Sequence, residues 1–213
     1  MFSMNSKIRY SEVDEKGNLT FTSAMRYLCD CAVFQSDAIG FDLSRLSYLE
    51  QGWYVVSWQI RCGRPLREGE EITVKTMPTK IAGVMGYRDF TIETKEGEVC
   101  LWANSTWVYM DLAKQKPTRV SKQMQDGFGI DTPLSMEWMD RKIPLCPQLA
   151  DALKTGDFDD KFTVLNAHLD SNHHMNNSMY IASAMNFVPC EAKIGYVRAE
   201  YKAVAFLNDV VYV

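Results

Sequence analysis

A chain of 213 residues that is 46% hydrophobic and 23% charged can bury one large core or two small ones and is not disordered. Its net charge of −4 excludes a general electrostatic attraction to nucleic acid or an anionic membrane, and Arg61, Arg64 and Arg67 form the best local basic patch. The six cysteines (Cys29, Cys31, Cys62, Cys100, Cys146, Cys190) make no CxxC pair and have apolar neighbours, which predicts reduced, mostly buried thiols in a cytoplasmic protein.

No charged-then-apolar leader precedes Met4, and no apolar run reaches spanning length. Neither a signal peptide nor a transmembrane helix is expected. Twelve methionines predict flexible core filler, with an adaptable wall for a long apolar ligand as the sharper alternative.

Ser6–Val13 alternates and predicts a strand, followed by turn chemistry at Asp14–Asn18. Thr22 or Ser23 is placed to cap a helix. Ala24, Met25, Leu28, Ala32, Val33 and Ala38 give it an apolar face ending near Gly40, and Cys29, Cys31 and Phe34 on the other face predict burial all round. A short helix around Leu43–Leu49 precedes four strands, Trp53–Cys62, Glu71–Thr79, Val84–Thr94 and Val99–Asp111. One long helix followed by antiparallel strands is an α+β pattern, in which a curved sheet wraps the helix.

Periodicity weakens from Ala113 to Gly156, where Pro117, Pro133, Pro144 and Pro147 fall, and a linker with one short helix near Gln148–Lys154 is expected. The opening pattern then returns. Phe158–Leu169 predicts a strand, Asp170–His174 a turn, Asn176–Phe187 a helix, and Val197–Ala205 and Val210–Val213 two strands. Val13–Thr20 aligns with Leu169–Asn176 without gaps, so strand, turn and helix occur twice. The copies differ where chemistry counts: Asp14 matches Asp170, but Lys16 stands opposite Asn172 and Asn18 opposite His174.

All three histidines, His168, His173 and His174, fall in the second copy. Histidine is the default general acid or base near neutral pH. In Asp170-x-Asn172-x-His174 alternating residues converge at the start of a helix, whose N–H groups and dipole favour an anionic intermediate. His174 suits activation of water, Asn172 positioning of that water or of a carbonyl, and Asp170 orientation without a change of protonation. His168 on its strand and His173 one residue out of register read as structural, and Asn176 and Asn177 as capping residues. No metal or cofactor is expected, since metal-ligand spacing is absent. Cys190 reads as a packing residue and not as a nucleophile.

The segment Leu169-Asp-Ser-Asn-His-His-Met-Asn-Asn-Ser-Met-Tyr-Ile181 resembles the D-x-N-x-H-x-N-N-x-x-Y signature of acyl-ACP thioesterases. Arg9–Asp14, Gly17, Ser57–Ile60, Tyr87–Phe90 and Trp107–Asp111 are similar to that family's first repeat. The resemblance implies two tandem hotdog domains, each a long helix wrapped by a curved antiparallel sheet. It implies hydrolysis of fatty acyl-ACP to free fatty acid, with Asn172 and His174 at catalytic positions and Asp170 as a supporting carboxylate. Acyl carrier protein is the implied partner, docking on a local patch for which Arg61, Arg64 and Arg67 are candidates; a homodimer is left open. The expected division is a first hotdog over 1–135 without catalytic residues, a linker over 136–156, and a second hotdog over 157–213 with the active site.

Two departures stand out. The family's later strand motif carries a functional glutamate, and in plant members a cysteine, where this chain has Val204 and Ala205. Glu200 is on the same strand face as Val204 but about 13 Å away along it, a poor substitute. The second repeat also ends without the final hairpin of the first, which predicts a truncated chain or an incomplete second sheet. Two other readings of the same turn are a hotdog enoyl-thioester hydratase and a non-catalytic acyl-thioester binding protein.

Overall fold

A computed structural model describes residues 1–158, 160–189 and 191–212. The first strand, β1, runs over Phe2–Lys7, earlier than its alternation suggests. The chain then curls, because Glu12 turns back on Arg9: the Arg9 N–H donates to Glu12 Oε2 at 2.8 Å. A tight helical turn over Tyr10–Glu12 occupies the rest of the expected strand. Helix α1 (Phe21–Ala38) is capped by Thr20, whose Oγ1 accepts the Ser23 N–H at 3.1 Å. Thr22 and Ser23, the expected caps, already lie in its first turn.

After α2 (Leu43–Tyr48) come β2 (Gln51–Cys62), β3 (Glu71–Ala82), β4 (Met85–Thr94) and β5 (Val99–Asp111). The segment that reads as linker holds a two-residue strand β6 (Lys116–Pro117), α3 (Lys122–Phe128) and α4 (Pro147–Thr155). The helix α4 answers the expectation near Gln148–Lys154, whereas α3 is unforeseen: Ser121 caps it, but its sequence is mostly polar. Then follow β7 (Lys161–Thr163), α5 (Asn177–Met185), β8 (Tyr196–Glu200) and β9 (Val210–Tyr212). The expected strand Phe158–Leu169 shrinks to β7, because Asn166–His168 forms a helical turn of its own.

The antiparallel sheet has the order β1-β3-β4-β5-β2-β8, with β6 on β5, and β7 pairs with β9 separately. Period-2 alternation turns Trp58, Ile60, Val74, Phe90, Ile92, Leu101 and Ala103 toward Met25, Leu28 and Cys31 of α1. Each of the buried Val, Leu, Ile, Phe and Met side chains among them contributes roughly 1.5–3 kcal/mol. A second cluster joins Phe41, Tyr109 and Val120 to Met124 and Phe128 of α3.

The two copies share one framework. β8 pairs with β2 in the register Ser57↔Glu200 through Arg61↔Tyr196. A bulge in β2 between Val55 and Ser57 frees the Val56 carbonyl, which accepts the Tyr201 N–H at 2.9 Å. α5 packs against α1, and its Ile181 joins the main core. The result is the α+β tandem hotdog, with fewer strands in the second unit than in the first among the described residues.

Five thiols differ in burial. Cys31 and Cys100 are buried and Cys29 and Cys62 half-buried, and Cys146 is the exposed exception to the expectation of mostly buried thiols. It is the N-cap of α4, its Sγ accepting the Leu149 N–H at 3.4 Å. Cys190 lies outside the described residues. Phe34 is exposed as well, so α1 is not covered on every side. Among the described residues no helix is long and apolar enough to cross a membrane.

Candidate active site

The turn before α5 is a replica of the turn before α1. In the first copy Asp14 Oδ1 accepts the N–H groups of Lys16 and Asn18 at 2.9 and 2.8 Å, and the Asp14 N–H donates to Asn18 O at 2.8 Å. In the second Asp170 Oδ1 accepts those of Asn172 and His174 at 2.8 and 3.3 Å, and the Asp170 N–H donates to His174 O at 2.9 Å. Paired bridges, Val13↔Leu19 and Leu169↔Met175, close the two turns. Aspartate is suited to this work because its short carboxylate reaches backbone N–H groups two and four residues on.

The replica extends to the flanks. His168 stands where Glu12 does, and its Nδ1 accepts the Leu165 N–H at 3.1 Å as Glu12 accepts that of Arg9. It therefore sits in a helical turn and not on a strand, with a backbone-holding role. His173 takes Gly17's place at φ +60° against +75°, and its side chain is exposed. Asn176 caps α5, its Oδ1 accepting the N–H of Ser178 at 2.9 Å.

Asp170, Asn172 and His174 all line one cavity of about 240 Å³, and His168 and His173 do not. The His174 ring lies between Tyr54 and Phe206, at centroid distances of 6.0 and 5.0 Å. The cavity also takes residues that the motif alone does not reveal: Arg26, Cys29 and Asp30 of α1, and Tyr201. Their signal was the helical spacing of 26, 29, 30 and 33, which puts them on one face of α1. Burial pushes the Cys29 thiol up to about 12 and raises the Asp30 carboxyl above its ordinary range. Burial likewise raises the Tyr201 phenol, whose Oη donates to Asn177 O at 2.9 Å.

The segment after β8 closes the cavity from above. The Ala205 N–H donates to Tyr180 Oη at 3.0 Å, and Ala205 O accepts the Met175 N–H at 2.8 Å. This brings Ala203 and Val204 into the cavity wall. Glu200 turns elsewhere: its Oε2 accepts the Ile143 N–H at 2.9 Å, and Arg141 pairs with Oε1 at 3.4 Å. The Ile143 N–H holds its carboxyl below the usual range. Glu200 thus fastens the segment before α4 to the sheet.

A second cavity of about 390 Å³ is mainly apolar, with walls from Phe41, Leu43, Leu46, Ile81 and Leu112. Val33, Trp53, Tyr54, Trp107 and Asn172 line both cavities. Gly86 is needed here, because a Cβ on it would meet the Trp53 ring at 3.0 Å. Among the described residues no group of three or more His, Cys, Asp or Glu is arranged to hold a metal ion.

Of the three arginines of the candidate patch, Arg61 and Arg67 are exposed and Arg64 is half-buried. Arg64 is paired with Glu70 at 2.8 Å and with Glu98 at 3.1 Å, which raises its pKa. Arg61 lies over the Tyr196 ring at 5.3 Å.

Residues 1–128 match the family model of the acyl-ACP thioesterase N-terminal domain. A search of curated proteins finds no match. Among solved structures, an acyl-ACP thioesterase from Bacteroides thetaiotaomicron superposes with a TM-score of 0.85 at 21% identity, over 98% of this chain and 83% of that one. The 12:0-ACP thioesterase from Umbellularia californica gives 0.80 at 18% identity, over 98% and 84%. A 1,4-dihydroxy-2-naphthoyl-CoA thioesterase from Synechocystis gives 0.56 at 16% identity, over 60% and 94%. At these identities the likeness is one of fold.

Proposed function

Because the chain belongs to the acyl-ACP thioesterase family, a family of thioester hydrolases, we propose that it hydrolyses a fatty acyl thioester of acyl carrier protein to free fatty acid, with water as the nucleophile. The observation that carries this reading is the position of Asn172, which lines both the cavity that holds His174 and Asp170 and the larger cavity beside it, with walls from Phe41, Leu43, Leu46, Ile81 and Leu112. A thioester carbonyl at that junction has its acyl chain in apolar surroundings and its sulfur on the side of His174.

His174 takes a proton from water as the oxygen attacks the carbonyl carbon, an effect worth roughly 100- to 10,000-fold. Asn172 aligns that water or donates to the developing oxyanion. The N-terminal end of α5, beside the site, favours the same negative charge. As the tetrahedral intermediate collapses, the carbon–sulfur bond breaks and the proton on His174 passes to the departing sulfur. Asp170 holds the turn through its two backbone N–H groups and keeps its charge throughout. Val204 offers no proton, so the imidazole carries both transfers. The domain division at 1–135, 136–156 and 157–213 fits this arrangement: the first unit supplies the apolar walls and the second the reacting groups.

Release of free thiol from a panel of acyl-ACPs of varied chain length tests the proposal, and no thiol release from any member would overturn it. The enoyl-hydratase reading predicts instead consumption of enoyl thioesters without thiol release. Val204 in the cavity wall favours one second reading, a binding protein without turnover, which predicts tight acyl-thioester binding and no free thiol.

A further inference from the structure

Tyr54 of β2 is a polar side chain at the junction of the two cavities that the hydrolytic reading does not use. Val33, Trp53, Tyr54, Trp107 and Asn172 line both cavities. Besides the Asn172 amide, three of these side chains carry a hydrogen-bond donor: the two indoles and the phenol. Trp107 Nε1 is committed, donating to Ser105 Oγ at 2.6 Å. Trp53 Nε1 is closed off from solvent. The Tyr54 hydroxyl is under neither restriction. Among the described residues it has no hydrogen-bond partner, and it is not one of the polar atoms shut away from solvent.

This hydroxyl belongs to a ring that stands next to the reacting groups. The Tyr54 ring flanks the His174 ring, with 6.0 Å between centroids and 52° between planes. Burial, and after it the negative charge of Asp170, raises the Tyr54 phenol above its ordinary range. The phenol therefore keeps its proton at neutral pH and is a donor, not a base. It is carried on regular sheet, in the register Tyr54↔Val108 and Val55↔Trp107 with β5. A strand holds such a group more precisely than a loop does.

We propose that Tyr54 is a further catalytic residue, whose hydroxyl donates a hydrogen bond to the thioester carbonyl oxygen beside Asn172. The bond strengthens as that oxygen becomes the anion of the tetrahedral intermediate. The inference rests on the hydrolytic reading above and adds a second side-chain donor to the same site. No proton is transferred in this step. The phenol keeps its O–H, the electron pair on the oxygen returns to the carbonyl as the carbon–sulfur bond breaks, and His174 still carries the proton from water to sulfur. Donors already aimed at a developing oxyanion act most strongly where the site is partly shielded from water.

The test compares the wild type with Tyr54→Phe, which keeps the ring beside His174, and with Tyr54→Leu, which removes ring and hydroxyl together. Thiol release from acyl-ACP should fall about 100-fold in kcat in Tyr54→Phe. KM should be nearly unchanged, because a bond made in the transition state lowers kcat and kcat/KM together. The pH profile of kcat should keep its shape, since the phenol does not titrate in the reaction. An unchanged kcat in Tyr54→Phe, with a loss only in Tyr54→Leu, makes the residue a packing partner of the imidazole. That result, or a loss confined to KM, overturns the inference and leaves the hydrolytic reading standing. A second measurement needs no turnover: binding of a long-chain alkyl trifluoromethyl ketone, whose hydrate presents a tetrahedral carbon and its oxygens. The wild type should bind it at least about tenfold more tightly than Tyr54→Phe. Equal binding to both, or to neither, overturns the pairing even if no thioester is hydrolysed.

Discussion

The turn over Asp14–Asn18 and the turn over Asp170–His174 have the same backbone and different chemistry. Both hang two N–H groups on one aspartate oxygen, both are closed by a bridge, and both lead into a capped helix. Only the second carries an imidazole, where the first has the Asn18 amide, and an amide at 172, where the first has Lys16; only the second turn's residues line the 240 Å³ cavity. The comparison teaches that Asp170 is needed for the shape of the turn, which the first copy keeps without any imidazole. The capacity to move protons lies in the two side chains exchanged between copies.

The sharpest way to break this comparison is to give the second turn the residue of the first. His174→Asn should leave the melting temperature nearly unchanged, because Asn18 occupies the equivalent place. It should lower kcat by about 100- to 10,000-fold. Asn172→Ala should lower it by about 100- to 1,000-fold if the amide serves the oxyanion. Full activity in either variant, measured as thiol release, removes the assignment. A smaller effect is expected from Val204→Glu, which puts a carboxylate in the same cavity wall. A rise in kcat of roughly tenfold is expected, below the usual range for a well-placed acid or base, since no element was shaped to hold it. An unchanged kcat would mean that His174 needs no carboxylate there.

The aspartates come next. Asp14→Ala and Asp170→Ala should each destabilise the chain by about 1 kcal/mol through lost N–H acceptors, read from urea midpoints. Asp14→Ala should retain full activity, whereas Asp170→Ala should lose most of it because the side chains at 172 and 174 are no longer held. Equal activity loss in both would show that the first turn is more than scaffold.

The duplicated turns were legible in the sequence because an ungapped alignment needs no three-dimensional information, and the regular strands β2 to β5 because each is long and alternating. The helical turns at Tyr10–Glu12 and Asn166–His168 were not. Each depends on a single side chain bonding back to the backbone, a contact that alternation hides. Helix α3 was missed because its two core residues, Met124 and Phe128, are too few to give a period in seven residues. Apolar neighbours predict mostly buried thiols, and they do not reveal that capping a helix keeps Cys146 at the surface. Arg88 was legible only as part of the Tyr87–Phe90 resemblance. Nothing local says that a cation will be buried against Gln35 and Thr76, which lie on α1 and β3. The polar face of α1, with Arg26, Cys29 and Asp30, became part of the site only once α5 packed against α1.

The smallest expected effect concerns His173, where the second copy departs from the first in backbone economy and not in chemistry. Gly17 and His173 both have left-handed φ. A residue with a Cβ loses roughly 1–2 kcal/mol in that region, while glycine loses about 0.4–1 kcal/mol more chain entropy on folding. His173→Gly should therefore raise stability by about 0.5 kcal/mol, and Gly17→His should lower it by a similar amount, since a Cβ at Gly17 meets no atom within 4 Å. Both should leave hydrolysis unchanged, because neither residue lines the cavity. Loss of activity in His173→Gly with raised stability would mean that the histidine held at positive φ serves the reaction, and that the turn was strained to present two imidazoles and not one.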